Sequence, residues 1–403
     1  MLSYDEARAK VIALVAAQRR LPARETVSLE GSVGRILAEP ISADRDYPPF
    51  HRSTRDGFAL RAADVASLPA TLTCVGEVRA GQSFAGTVGP GACVQIMTGA
   101  PLPTGADAVV MLEYVERKGE QVNVNRAVRA GENVVRQGSE ARQGAALLEP
   151  GRRISYVEVS LLGQVGKARV EVYRQPRVAI LSTGDEVVEI SAAPGPVQIR
   201  NSNSFSLAAQ VRLRGGEPVL LGNAPDTVGS LREKIERGLQ EDLLVLTGGV
   251  SMGKYDLVGV VLRQLRAEFY FDQVAIQPGR PAVFGRCRDT FVFGLPGNPV
   301  STMVTFELFV APALTLRAGS VPQPVRFLKA RLAETLRTRT GLTRFLPARL
   351  DGGGADVTVR QLPWQGSGDV VTLAASNCFL VVPPDKPEVP AGDYVDVLLR
   401  LDF

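Results

Sequence analysis

The chain has a single histidine among its 403 residues, His51. One imidazole cannot build a site that needs two, so the H-E-x-x-H zinc hydrolases are excluded. The four cysteines (Cys74, Cys93, Cys287 and Cys378) are scattered and form no C-x-x-C pair. That argues against a disulfide framework and against a zinc–thiolate centre. A metal would have to be held by carboxylates and ligand oxygens, which favours a hard ion such as Mg²⁺. Long apolar runs are missing as well. The longest candidate, 303–316, is interrupted by Glu307 and Pro312 and falls short of the roughly 20 residues that a membrane span needs. The first residues lack the basic and apolar segments of a signal peptide, so the expected compartment is the cytoplasm. No G-x-x-x-x-G-K-[ST] phosphate loop and no G-x-G-x-x-G fingerprint occurs. The net charge is only +4, and the arginines of 126–153 lack aromatic interleaving, which argues against nucleic acid.

Glycine is what the chain has in quantity, and two stretches use it in the same way. The runs L-L-V-L-T-G-G-V-S at 243–251 and F-V-F-G-L-P-G-N-P-V-S at 291–301 are both short apolar strands that stop at glycine. Each then offers hydroxyl or amide side chains and starts a helix. Glycine lets backbone come close to a ligand. The helix that follows presents free N–H groups and a partial positive charge. The pair reads as a receptacle for an anion such as a phosphate.

At 403 residues the chain is expected to form two to four domains. Residues 3–20 read as an amphipathic helix, with Ser3 and Glu6 at capping-box spacing. A glycine- and proline-rich β stretch follows to about 150, and 153–166 reads as a helix ending near Gly163. From Pro176, strands at 177–181, 218–221, 243–246 and 291–293 alternate with helices at 203–214, 227–240, 255–266 and 299–316. That alternation predicts a parallel sheet covered by helices, with ligands beyond the carboxyl ends of its strands. Asn201 and Ser202 are candidate caps for the helix at 203–214, and Asn298 for the one at 299–316, with Pro299 in its first turn. Residues 321–324 read as a linker, and the short strands beyond them as a small β-barrel or sandwich. The expected division is an N-terminal region 1–170, with a β-rich lobe near 45–150, an α/β domain 176–320 and a C-terminal β-barrel 325–403.

Five polar clusters could bear chemistry. Ser182-Thr183-Gly184-Asp185-Glu186 ends a strand in hydroxyls, glycine and two acids, which suits a cation beside a phosphate or simply a solvated turn. Asp256, downstream of Gly248, Gly249 and Ser251, could cap a helix, hold a metal or position water. Gln277-Pro278-Gly279-Arg280-Pro281 presents a guanidinium on a proline-flanked turn, a match for a tetrahedral oxyanion or a surface turn between strands. Residues 50–59 hold His51 and end in Asp56-Gly57, a tight-turn signal. Residues 96–103, with Thr98, lead a strand into another glycine/proline loop.

Together and in this order these clusters resemble the molybdopterin molybdenumtransferase family, to which the C-terminal domain of gephyrin belongs. The resemblance spans nearly the whole chain. It rests on 53–59 (S-x-x-D-G-[YF]-A), 97–103 (M-T-G-A-P-x-P), 182–186 (S-T-G-D-E), 247–256 ([ST]-G-G-V-S-x-G-x-x-D) and 294–301 (G-L-P-G-N-P-V-S), with Gln365-Gly366-Ser367 and Asn377-Cys378 further on. It implies a multidomain α/β fold, with a central molybdopterin-binding α/β domain, β-rich N-terminal domains and a C-terminal β-barrel. It also implies a homodimer with each site in a cleft between subunits. The implied reaction is hydrolysis of adenylylated molybdopterin, with release of AMP, coupled to insertion of molybdate and assisted by Mg²⁺. Molybdopterin adenylyltransferase and cofactor-acceptor proteins are the implied partners, with no membrane and no nucleic acid.

Carried over residue by residue, the resemblance assigns Asp56, Glu186, Asp226 and Asp256 to catalysis, with Asp56 from the partner and Glu186 and Asp256 at the metal. Thr98, Ser182, Thr183, Gly184, Gly248, Gly249, Ser251, Gln277, Arg280, Pro296, Gly297, Asn298, Pro299, Ser301 and Ser367 would line the substrate site. Four positions depart from the pattern. Gln277 and Arg280 stand where the family usually has the lysines of K-P-G-K-P. Leu342 follows Gly341 where an arginine is frequent, with Arg344 two residues on. Glu140 stands where an aspartate is usual. Gln277 motivates the alternative function: a divergent paralogue that binds pterin nucleotide or acts as a scaffold, or one that handles another oxyanion such as tungstate.

Overall fold

The computed structural model describes residues 1–18, 20–249, 257–353 and 356–400. The chain forms two compact units, one of Met1–Ala38, Gly151–Tyr156 and Arg169–Phe403, the other of Glu39–Pro150 and Val157–Ala168.

The centre of the first unit is a six-stranded sheet. Its order is Glu217–Ala224, Arg177–Thr183, Leu243–Thr247, Thr290–Leu295, Val283–Cys287 and Glu268–Phe271. The first four strands are parallel, and the last two pairings are antiparallel, with Val283–Cys287 alone running the other way. The four strands expected to form a parallel sheet do so, and two further strands extend it. Only two residues, Arg288 and Asp289, join 283–287 to 290–295, and Arg288 takes a positive φ of 56°. So short a link can make a hairpin but not a crossover. The parallel strands read as unbroken apolar runs because helices bury both faces. Alternate residues go to opposite cores: Val178, Ile180 and Val245 to one, Ala179, Leu181, Leu244 and Leu246 to the other.

The helices follow their capping signals. Tyr4–Ala17 starts on the reciprocal Ser3–Glu6 capping box and buries Ala7, Val11 and Val15 in the first core. Ser202–Leu213 is capped by Asn201, which accepts from Ser204 N, and stops at Gly215, where φ is +85°. The helix expected at 153–166 starts later, at Tyr156, and runs through Gly163 to Gln164. Arg153 is bridged to Ile36, and Ile154 O accepts from Gly34 N, so their backbone is already engaged. The apolar helix Pro299–Arg317 is long enough to cross a membrane by length and composition, but 78% of its apolar window is buried in this core. It widens to i→i+5 turns over Phe306–Val310. Pro312 lies just beyond, and its ring would crowd the Leu308 carbonyl in a regular helix, which the wider turn relieves.

After the extended segment 321–327, five strands close into a barrel in the order Thr343–Asp351, Thr358–Gln361, Leu328–Leu332, Tyr394–Leu399, Cys378–Val382 and back to 343–351. The short strand Ile276–Gln277 is appended to 343–351 in parallel. The barrel is filled by Leu332, Leu346, Val359, Leu380 and Val397 among others.

The second unit contains a six-stranded sheet in the order Ala108–Met111, Gly57–Leu60, Ala92–Ile96, Ala70–Val78, Gln121–Val124 and Val115–Lys118. Gly57 is required at its place, because a Cβ there would lie 1.9 Å from Val110 O. The four cysteines are buried and free. Burial pushes the Cys93 and Cys378 thiols up to about 12, which leaves them inert as nucleophiles near neutral pH.

Candidate functional site

Three parallel strands end side by side. Ser182 is in register with Thr247, and Thr247 with Leu295, so 184–186, 248–249 and 296–298 leave the sheet at one edge. The loops are packed backbone against backbone. Gly248 has φ +89°, and a Cβ there would lie 2.4 Å from Thr183 O. A Cβ on Gly249 (φ +51°) would lie 2.9 Å from Thr183 Oγ1, and one on Gly297 would lie 3.5 Å from Gly248 Cα. The two glycine loops are therefore adjacent walls, and side chains at these positions would fill the space between them.

Asn203, in the first turn of Ser202–Leu213, ties both walls together. Its Nδ2 donates to Thr247 Oγ1 at 3.0 Å and to Gly297 O at 2.7 Å. Among the described residues its Oδ1 is buried without a partner, as is Thr183 Oγ1. Unsatisfied buried polar atoms are uncommon and mark strain or a missing ligand. Here they sit around one set of glycine loops. Sequence reading missed Asn203 because it lies among the polar residues 201–204, which read as helix-start signals.

The second wall reaches the C-terminal part of the chain. Asn298 precedes Pro299–Arg317 at the cap position, but its side chain makes no cap bond. Nδ2 donates instead to Ser367 Oγ at 2.8 Å, and Val300 N donates to Ser367 O at 3.0 Å. The expected capping role of Asn298 is corrected accordingly: its amide is engaged by Ser367. Ser301, in the first turn after Pro299, is 4% exposed. The 277–281 loop packs on the same helix, where a Cβ on Gly279 would lie 2.4 Å from Thr305 Cγ2. Arg280 is exposed, with Nη2 3.5 Å from Gln273 Oε1. Gln277 is half-buried beside the barrel strand.

The acids lie at the mouth. Glu186 is exposed, with its carboxylate against Gly184, whose φ is +130°. Asp185 Oδ1 accepts from Asp226 N at 3.0 Å, which places Asp226 beside the 184–186 loop. Ser251 and Asp256 lie outside the described residues. Among the described residues, no group of three or more His, Cys, Asp or Glu side chains gathers as a metal cage. A cavity of about 930 Å³ in the same unit, lined by Arg8, Gln210, Arg214, Glu307 and Phe379, includes none of these loops.

Asp56 and Thr98 belong to the second unit and are bonded to each other. Asp56 Oδ1 accepts from Thr98 N at 2.7 Å and from Thr98 Oγ1 at 2.9 Å. These bonds, the backbone one foremost, hold the exposed Asp56 carboxyl below the usual aspartate range. Glu140 pairs with Arg52 across 3.1 Å in the same unit.

This geometry agrees with comparison to known proteins. The MoeA N-terminal region (domain I and II) matches residues 2–166, a probable molybdopterin binding domain matches 179–316, and the MoeA C-terminal region (domain IV) matches 329–399. The molybdopterin molybdenumtransferase of Bacillus subtilis (strain 168) is 34% identical over 385 residues, 93% of this chain and 89% of that protein. The chain belongs to the molybdopterin molybdenumtransferase family. The Staphylococcus aureus (strain N315) member is 32% identical over 391 residues, 96% of this chain and 93% of its own length. Two solved structures of the molybdopterin biosynthesis MoeA protein from Pyrococcus horikoshii extend the likeness to the fold. One has a TM-score of 0.75 at 34% identity, covering 97% of this chain and 98% of that one; the other has 0.83 at 30%, covering 99% and 100%. The glycine walls and the Asn203 bridge fall within the stretch matched as the family's molybdopterin binding domain.

Proposed function

We propose that the cleft between the glycine walls binds adenylylated molybdopterin, and that the chain hydrolyses it to release AMP while molybdate enters the dithiolene. The observation that supports this reading most is the convergence of the 184–186, 248–249 and 296–298 loops around Thr183 Oγ1 and Asn203 Oδ1, which have no partner among the described residues. Backbone left open by glycine and helix starts suits a pyrophosphate. In this reading Ser182, Thr183, Gly184, Gly248, Gly249 and Ser251 cradle phosphate, and Pro296, Gly297, Asn298 and Pro299 line the pocket. Gln277, Arg280, Ser301 and Ser367 face the oxyanion.

The donors present suit Mg²⁺. Such an ion is commonly held by one or two carboxylates together with substrate phosphates and water, without a protein cage. Glu186 and Asp256 would hold it, and when bound it would neutralise phosphate charge. Asp226 acts beside them, and Asp56, with Thr98, acts from the partner subunit of a homodimer. The reading includes a cytoplasmic protein that receives substrate from molybdopterin adenylyltransferase and passes product to cofactor-acceptor proteins.

The test is reconstitution of the full chain with adenylylated molybdopterin, molybdate and Mg²⁺. The expected result is AMP release together with a product that activates a molybdenum-dependent apoenzyme. Absence of both overturns the function.

A further inference from the structure

Glu186 and Asp226 lie on different segments, and the amide of Asn223 joins the two. Asn223 is in strand 217–224, at the edge of the six-stranded sheet and three residues before Asp226. Its Nδ2 donates to Gly184 O at 2.9 Å and to Val187 O at 3.0 Å. Those two carbonyls bracket Glu186. The same segments share two backbone ties: Gly184 N donates to Ala224 O at 3.3 Å, and Asp226 N donates to Asp185 Oδ1 at 3.0 Å. The Glu186 carboxylate lies over Gly184, where a Cβ would stand 2.5 Å from Oε2. The backbone that Asn223 grips is therefore the surface on which that carboxylate rests.

The strand is shaped to bring Asn223 there. Ile180 pairs with Leu220 but Ser182 pairs with Asn223, so strand 217–224 advances three residues where its neighbour advances two. The extra residue is a bulge, and Gly222 beside it takes φ +73°. Bulges re-aim the side chains that follow them and recur next to functional sites. Without this one, Gly222 would pair with Ser182 and Asn223 would fall on the opposite face. Asn223 is also kept at a cost, since its Oδ1 is buried and has no partner among the described residues. What the position retains is the pair of donations to the loop. The two glycine walls are tied separately, by Asn203.

We propose that Asn223 is a positioning residue: it holds the 184–187 loop and through it sets Glu186 relative to Asp226 for the hydrolytic step. The inference rests on the proposed function and adds to it the residue that fixes the spacing of these two acids. Asn223→Leu keeps the shape of the side chain and removes both donors. The kcat for AMP release is expected to fall at least about tenfold, with KM for adenylylated molybdopterin within about twofold of normal. An unchanged kcat, or a KM that rises while kcat holds, overturns the role. In single-turnover release with Glu186→Gln as the background, adding Asn223→Leu is expected to cost no more than about twofold, because Asn223 acts through Glu186. A further tenfold fall there means that it acts elsewhere, and overturns the role as well. The ligand-free chain supplies a second readout. The N–H groups of Val187 and Ile199 bond Gly184 O and Glu186 O, and their hydrogen exchange is expected to quicken at least about tenfold in Asn223→Leu. Unaltered exchange means that the amide does not hold the loop. Should Asn223→Leu not fold, Asn223→Ala decides by the same measurements. If the unaltered chain releases no AMP, the proposed function falls and the catalytic part of this role with it, while exchange still decides whether Asn223 holds the loop. If it releases AMP with the same kcat as Asn223→Leu, only the role of Asn223 falls.

Discussion

At the scale of single residues, Asn203 and Asp56 act through what they hold. Asn203 makes two hydrogen bonds, each worth about 1 kcal/mol net, between the walls of the cleft. Asn203→Ala is expected to lower stability by about 1–2 kcal/mol in urea unfolding and to cut kcat/KM for AMP release by about tenfold or more. Unchanged kinetics would show that the bridge does not shape the site. Asp56 titrates below the ordinary aspartate value of 3.8 because Thr98 donates to it twice. With its folded value depressed, it stabilises fully above the ordinary value and loses that contribution as pH falls toward the folded one. Tm measured from pH 7 to pH 3 should therefore fall less steeply below about pH 4 in Asp56→Asn than in the unaltered chain. Residue types were legible where chemistry is dense: two acids after a glycine, or a serine after Gln-Gly. Their partners were not. That Asp56 bonds Thr98, that Asn298 bonds Ser367 and that Gln277 pairs with Arg344 are facts of register between distant segments, and no local pattern encodes them.

At the scale of elements, the glycine-terminated strands are what made the α/β part readable. A run buried on both faces must be apolar throughout, and it can turn sharply under a ligand only where Cβ is absent. Gly248→Ala tests this directly. Its φ of +89° and the 2.4 Å approach to Thr183 O leave no room for a methyl group. A loss of about 1–3 kcal/mol is expected, with loss of substrate binding. A variant of full stability would mean the loop can refold around the added carbon. The antiparallel edge at 283–295 was less legible, since a two-residue link there depends on Arg288 adopting a left-handed conformation that non-glycine residues seldom take. The widened turn at 306–310 was equally hidden, because an apolar helix with one proline gives no sign of how the strain is relieved.

At the scale of the whole molecule, the acids assigned to one reaction divide between two compact units: Asp56 in one, Glu186 and Asp226 in the other. If each site of a homodimer draws Asp56 from the partner, Asp56→Asn and Glu186→Gln variants should complement each other. Random mixing makes half of the dimers mixed, each with one intact site, so activity should recover to about a quarter of normal. Recovery of none would put both residues in a site built from one chain. The Asn203 bridge has a further consequence at this scale. The helix start at 201–204 is the hinge post on which both walls hang, though the reacting bonds are elsewhere. Substrate that braces the walls must therefore also slow the opening of that helix end. Amide hydrogen exchange at 204–207 should drop on binding, and the Asn203→Ala variant should lose that protection.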